Sequence, residues 1–178
     1  MRWTLKASNI LDEPADALIV SANQTLLLST HGVGSALEER YGPKMQEDLK
    51  NIVAGRSHRY VSQGEVVPYV DSSLPYKVVL HAVAVDTWQN STAKVVCGTV
   101  IRALKEAVKV DAKKVALSAL ATGAGNLSLP EFANGIKMMM ASNFPPIEEV
   151  CICLLEEDRV TELAKLLPDA NLAAQPTE

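Results

Sequence analysis

Short apolar runs alternate along the chain with longer segments of helical periodicity, and this alternation limits the fold more than any other feature. Four runs are nearly continuously apolar, as in strands buried on both faces: residues 16–23, 76–85, 113–121 and 148–155. Segments with apolar residues on one helical face lie between and after them, at 91–110, 129–144 and 159–167. The pattern predicts an α/β domain with a largely parallel central sheet and helices on both faces.

The length of the chain predicts one domain. Its 178 residues can bury a substantial core, and no repeat, low-complexity tract or linker divides them. We expect a single domain over residues 1–167 and a disordered tail over residues 168–178.

Composition and charge argue against several classes of protein. A net charge of −4 is unfavourable for nonspecific nucleic-acid binding, which depends on an excess of Lys and Arg. No apolar run reaches membrane-spanning length, and the first residues lack the apolar region of a signal peptide. We therefore expect a cytoplasmic protein with no membrane partner.

The cysteines and histidines do not predict a metal site. Cys97, Cys151 and Cys153 form no CxxC pair, so we interpret them as buried thiols of a reduced protein. The three histidines are scattered and lack metal-ligand spacing. We expect neither a bound metal nor a cofactor.

Two loops carry the pattern expected of a phosphate site. Residues 21–39 and 119–132 each leave an apolar run, contain glycines and enter a helical segment. Small residues let the backbone approach a ligand, and the free N–H groups of a helix N-terminus favour an anion. Because ligands of α/β sheets bind beyond the carboxyl ends of the strands, the two loops together suit a diphosphate.

Two other phosphate-binding motifs fit poorly. The GxxxxGK[ST] sequence of a P-loop is absent. The run GAGNLS at 123–128 resembles the dinucleotide fingerprint GxGxxG, but it has Ser128 at the third glycine and follows a late strand. A nicotinamide or flavin enzyme is therefore disfavoured.

Four segments resemble the macro domain, a family that binds ADP-ribose and related ends of NAD metabolites. They are DALIVSANQTLL (16–27), HGVGSALEERYG (31–42), HAVAVDTW (81–88) and ALATGAGNLSLPEFA (119–133), and they occur in the family's order. The resemblance implies a three-layer α/β/α sandwich with a mixed sheet. It also implies a cleft in which the two glycine-containing loops hold the diphosphate.

The resemblance assigns ligand-binding roles to residues of three matching segments and to two residues that precede the first segment. The second loop would bind one phosphate and its ribose, and the first loop would bind the other phosphate. The distal ribose would contact the residues that follow the first apolar run. Adenine would contact two residues before that run. In that order, these residues are Thr122, Gly123, Ala124, Gly125, Asn126 and Leu127; Gly32, Val33 and Gly34; Ala22 and Asn23; and Asn9 with Ile10.

Several positions depart from the family pattern. Asn9 replaces an adenine-facing Asp, and Leu154 or Leu155 stands where the family often has an aromatic residue. Val20 replaces the first Asn of the family's NAAN motif, and Gly34 stands where hydrolytic members place an Asp. The changes at Asn9 and at Leu154 or Leu155 predict altered recognition of adenine.

Three functions follow from the resemblance. The leading hypothesis is binding of ADP-ribose or ADP-ribosylated protein. The alternative is hydrolysis of ADP-ribosylated protein, O-acetyl-ADP-ribose or ADP-ribose 1″-phosphate, for which Asn23 and His31 are the candidate catalytic residues. A third hypothesis is a related domain that has lost nucleotide binding and acts through protein contacts.

Overall fold

The computed structural model describes residues 1–28 and 32–172. Within these residues the strands are β1 (Arg2–Ala7), β2 (Ala17–Ser21), β3 (Val66–Tyr69), β4 (Val78–Ala82), β5 (Lys114–Ser118), β6 (Glu149–Leu154) and β7 (Asn171–Leu172). The helices are α1 (Gly32–Tyr41), α2 (Lys44–Ala54), α3 (Ala93–Lys109), α4 (Leu129–Lys137) and α5 (Glu157–Leu166), with a 3₁₀ turn at Ile10–Asp12.

The strands form one mixed sheet in the order β3-β4-β2-β5-β6-β1-β7. The β3–β4 pair is antiparallel, and the other pairs are parallel. Pro68 lies in the edge strand β3, where its missing N–H interrupts no central ladder. The predicted mixed and largely parallel sheet is confirmed.

Helices cover both faces of the sheet and make three layers. On one face, Val100 of α3, Phe132 of α4 and Leu163 of α5 share a core with alternate strand residues. On the other face, Leu37 of α1 and Leu49 of α2 pack in a second core. The continuous apolar runs follow from this arrangement, because central strands have no face toward water.

One predicted helix is shorter than its apolar pattern indicated. Residues 129–144 were expected to be helical, but α4 ends at Lys137 and the following residues form turns. The amide of Ser142 donates to the carbonyl of Met139, 2.8 Å away, in one of those turns. Met139, Met140 and Phe144 in this segment pack against the core although they are not helical.

The C-terminal segment contains a short strand before the described residues end. Asn171 and Leu172 pair with Thr4 and Leu5 of β1, while residues 173–178 lie outside the described part of the chain. No helix within the described residues has the length and apolar character needed to cross a bilayer.

Candidate functional site

A cavity of about 530 Å³ opens at the carboxyl edge of the central strands. Its walls come from the segments that follow β2, β5 and β6, together with the first turn of α1. β2 lies next to β5, and β5 next to β6. The parallel topology therefore brings the two glycine-containing loops to neighbouring positions, as the sequence predicted.

The second loop turns sharply after β5 and presents backbone to the cavity. Thr122, Gly123, Ala124 and Gly125 line the cavity wall. A Cβ on Gly125 would collide with the carbonyl oxygen of Ala121, whereas a Cβ on Gly123 would meet nothing within 4 Å. Gly125 is therefore required for the close turn, and Gly123 leaves open space for a ligand.

Asn126 and Leu127 hold this loop in place and do not line the cavity. The Asn126 amide N–H donates to the carbonyl of Gln89 at 2.8 Å, and its Nδ2 donates to the carbonyl of Trp88 at 3.1 Å. Leu127 is buried, and its N–H donates to the carbonyl of Ala121 at 3.1 Å. Both residues were predicted to contact the ligand, but their observed contacts fix the loop.

Asn23 lies on the cavity wall, but most of its side chain is used inside its own loop. Its Oδ1 accepts from the amides of Thr25 and Leu27, each at 3.1 Å, and its Nδ2 donates to the Leu27 carbonyl at 2.8 Å. An amide carries two N–H donors, so one remains for a ligand. Ala22 lines the wall beside Asn23.

The first turn of α1 forms the opposite wall. Gly32, Val33 and Gly34 all line the cavity. Because the first amides of a helix have no intrahelical partner, this turn offers N–H donors and the positive end of the helix dipole. His31, a candidate catalytic residue, lies outside the described residues, as do the two residues before it.

The predicted adenine residues Asn9 and Ile10 do not line the cavity. The Oδ1 atom of Asn9 accepts from the Leu11 amide at 3.0 Å and caps the 3₁₀ turn. The Ile10 side chain is buried in the core beside α1 and α2. The wall near β6 is instead formed by Leu154 and by Leu155, whose side chain is 69% exposed.

Among the wall residues that the sequence did not assign to the ligand site, two carry ionisable side chains of the basic type, Arg159 and His81. Arg159, in the first turn of α5, lines the cavity, and its Nη2 donates to Oγ1 of Thr122 at 3.2 Å. His81 lines the cavity floor at 1% exposure, and burial lowers its pKa to about 4. The position of Arg159 just beyond an apolar strand was the available signal for it.

A buried cluster of Glu13, Cys151 and Cys153 lies below the β6 end of the cavity, and its possible ligand atoms are within 4.8 Å of one another. The Glu13 oxygens pair with Lys6 at 2.8 Å and Lys114 at 2.7 Å. Burial raises the pKa of Glu13, but hydrogen bonds from the two lysines outweigh it and lower the pKa overall. Two ammonium groups on the same carboxylate disfavour a cation there.

The chain is similar in sequence and in fold to known macro domain proteins. A macro domain-containing protein of Streptomyces griseus is 23% identical over 165 residues, covering 92% of this chain and 93% of that protein. A Trypanosoma brucei macrodomain solved in complex with ADP-ribose superposes with a TM-score of 0.75 at 18% identity, covering 92% of this chain and 68% of that chain.

A second solved structure has the same architecture. The Oceanobacillus iheyensis macrodomain with ADP superposes with a TM-score of 0.78 at 19% identity, covering 91% of this chain and 87% of that chain. The family model described as macro domain matches residues 20–135, more than half the chain and both glycine-containing loops. The sheet order, the two-loop cavity and this match together show that the chain belongs to the macro domain family.

Proposed function

We propose that the chain binds ADP-ribose, free or attached to protein, in the cavity at the carboxyl edge of the sheet. One observation carries the proposal: the two glycine-containing loops follow the adjacent strands β2 and β5 and face the same cavity. Adjacent strands are about 4.8 Å apart, so the two loops are spaced to hold two linked phosphates. The cavity volume of about 530 Å³ falls in the usual range of ligand sites.

Backbone donors supply most of the proposed contacts to the diphosphate. The first turn of α1 and residues 123–125 line the cavity and would supply these amides, whereas the Thr122 amide donates to the Ala119 carbonyl at 3.3 Å. Such donors bind an anion without an excess of basic side chains, which accords with the net charge of −4. Related macrodomains have been solved with ADP-ribose and with ADP, which supports a nucleotide of this kind as the ligand.

The remaining parts of the nucleotide would extend to either side of the diphosphate. Adenine would lie against Leu154 and Leu155, and the distal ribose would lie near Ala22 and Asn23. The free N–H of the Asn23 amide is the donor available to a ribose hydroxyl. Asn9 and Ile10 have no part in this arrangement, because neither lines the cavity.

Isothermal titration with ADP-ribose tests the proposal, with Gly123→Glu as the disruptive variant. A Glu side chain at this open position would fit sterically and place a negative charge beside the diphosphate, so we expect affinity to fall at least about 10-fold. Gly98→Glu in α3 is the matched control, because its Cβ also meets nothing within 4 Å and it does not line the cavity.

Two results would contradict the proposal. No heat with ADP-ribose at high micromolar concentration would favour the third hypothesis, a domain without nucleotide binding. Equal affinity in Gly123→Glu and Gly98→Glu would place the ligand elsewhere.

Hydrolysis of an ADP-ribosyl bond is the alternative, and the position of Asn23 on the wall is what favours it. Among the described wall residues, Glu156 is the one with a carboxylate side chain. It follows β6, which lies two strands from β2 in the sheet. The strands are about 10 Å apart, so the sheet does not place this carboxylate directly beside Asn23. We therefore propose binding without turnover; turnover of mono-ADP-ribosylated protein that is lost in Asn23→Ala or His31→Ala would establish the hydrolase instead.

A further inference from the structure

Arg159 gives the cavity a fixed positive charge at one defined place. Among the described wall residues it is the one that is cationic at neutral pH, because His81 is buried with its pKa lowered to about 4. The contact of its Nη2 with Thr122, at 3.2 Å, places the guanidinium beside the start of the second loop. Leu154 and Leu155 lie on the adjoining part of the wall.

The guanidinium retains donors for a further partner. It has five N–H groups, and the contact with Thr122 accounts for one. Within the described residues, the ion pairs involve other Arg and Lys side chains and leave Arg159 out. Its side chain is half-buried, which strengthens its attraction for an anion compared with a fully solvated one.

Building this charge into the cavity has a cost unless an anion compensates it. Desolvation disfavours a half-buried guanidinium, and its contact with the neutral hydroxyl of Thr122 offsets that only in part. A phosphate is the anion whose geometry matches the planar fork of an arginine. The surrounding wall already offers backbone amides that suit the same chemistry.

We propose that Arg159 binds a phosphate on the adenosine side of the nucleotide and thereby sets which nucleotides the cavity accepts. The inference rests on the proposed function, which places adenine against Leu154 and Leu155 and the diphosphate against residues 122–125. Arg159 contacts Thr122 in the second of these regions, and it lies in the first turn of the helix that follows Leu154 and Leu155. The phosphate is either the adenosine-side member of the diphosphate or an additional phosphate on the adenosine ribose.

Titration of two ligands into three proteins tests this proposal. ADP-ribose and ADP-ribose 2′-phosphate are each titrated into the wild type, Arg159→Gln and the control Lys165→Gln. Lys165 is exposed in the last turn of the same helix, so the control removes the same charge away from the cavity. We expect Arg159→Gln to weaken binding about 10-fold, a typical effect of losing one charge-assisted hydrogen bond, and Lys165→Gln to change it less than about twofold.

The two ligands distinguish the source of the phosphate. Equal weakening for both supports contact with the diphosphate. Weakening confined to ADP-ribose 2′-phosphate supports contact with the ribose phosphate. Unchanged binding of both ligands by Arg159→Gln, with the wild type binding either, would overturn the role of Arg159 and leave the proposed function intact; no binding by the wild type would overturn both.

A variant that keeps the charge, and titrations at several salt concentrations, distinguish a structural role of Arg159 from a direct contact with the phosphate. Arg159→Lys keeps the charge, so we expect it to recover part of the affinity, and the difference between wild type and Arg159→Gln should shrink as salt is raised. If Arg159 only positioned Thr122, the Lys and Gln variants would lose equal affinity at every salt concentration. That result would also overturn the proposal.

Discussion

Replacing His81 with Leu should remove one pH-dependent loss of stability that we expect of the wild type between pH 7.5 and pH 5. His81 is buried in β4, beside Val20 of β2 in the parallel register. Among the described residues, no group forms a hydrogen bond with its Nε2 atom. Burial lowers the pKa of His81 to about 4, from an ordinary value of 6.5.

The sign of the effect follows from which state binds the proton. Between pH 6.5 and pH 4 the unfolded chain protonates this imidazole and the folded chain does not, so the folded state loses stability as pH falls. With these two pKa values, the loss from pH 7.5 to pH 5 is about 2 kcal/mol. Leu cannot titrate, so His81→Leu should lack this loss. At pH 7.5 we expect the variant to be at least as stable as the wild type, because it removes an unpaired buried polar atom.

Urea denaturation of both proteins at pH 7.5 and pH 5 measures the effect. Some carboxylates, such as Glu13, Asp16 and Asp71, have pKa values that are lowered in the folded state. Their protonation at lower pH therefore destabilises the wild type and the variant alike. Subtracting the variant from the wild type therefore isolates His81. A difference in unfolding free energy that is the same at both pH values would refute the reasoning.

Three further substitutions test the walls of the cavity. Gly125→Ala should lower the free energy of unfolding by about 1–3 kcal/mol because its Cβ would collide with Ala121, whereas Gly123→Ala, with open space, should stay within about 1 kcal/mol of the wild type; equal stability of the two variants in urea denaturation would contradict the loop geometry. Leu155→Phe should strengthen ADP-ribose binding about fivefold by stacking on adenine, and unchanged affinity by titration would argue against adenine at this wall.

The sequence was sufficient for the sheet because strand burial leaves a direct pattern. Ile19 and Leu117 are paired neighbours in central strands, and the runs that contain them are apolar since both faces are covered. Parallel strands end at one edge, so the convergence of the loops around Gly32 and Gly123 could also be predicted. These features follow from the spacing of apolar residues and from the order of strands and helices, both of which can be read from a sequence.

The side-chain roles could not be read in the same way. Asn9, Asn23 and Asn126 have the same amide group, yet the first caps a turn, the second folds its own loop and the third joins two loops. These roles depend on backbone directions that are set only when the loops close. Arg159 was missed for a similar reason, since its direction depends on how α5 packs beside the second loop.

The distribution of charge is consistent with the proposed binding of a small anion. The chain as a whole is acidic, with a net charge of −4, so its long-range field opposes the approach of an extended polyanion such as nucleic acid. Backbone amides at the first turn of α1 and at residues 123–125 act only over short distances, at the cavity. Under the proposed function, a compact diphosphate would enter the cavity and reach these donors. Arg159 adds one fixed charge within this enclosed space, where solvent screening is weaker than at the surface. If the proposed function is correct, selectivity for a small anion would come from local donors in an otherwise acidic protein, without an excess of basic residues.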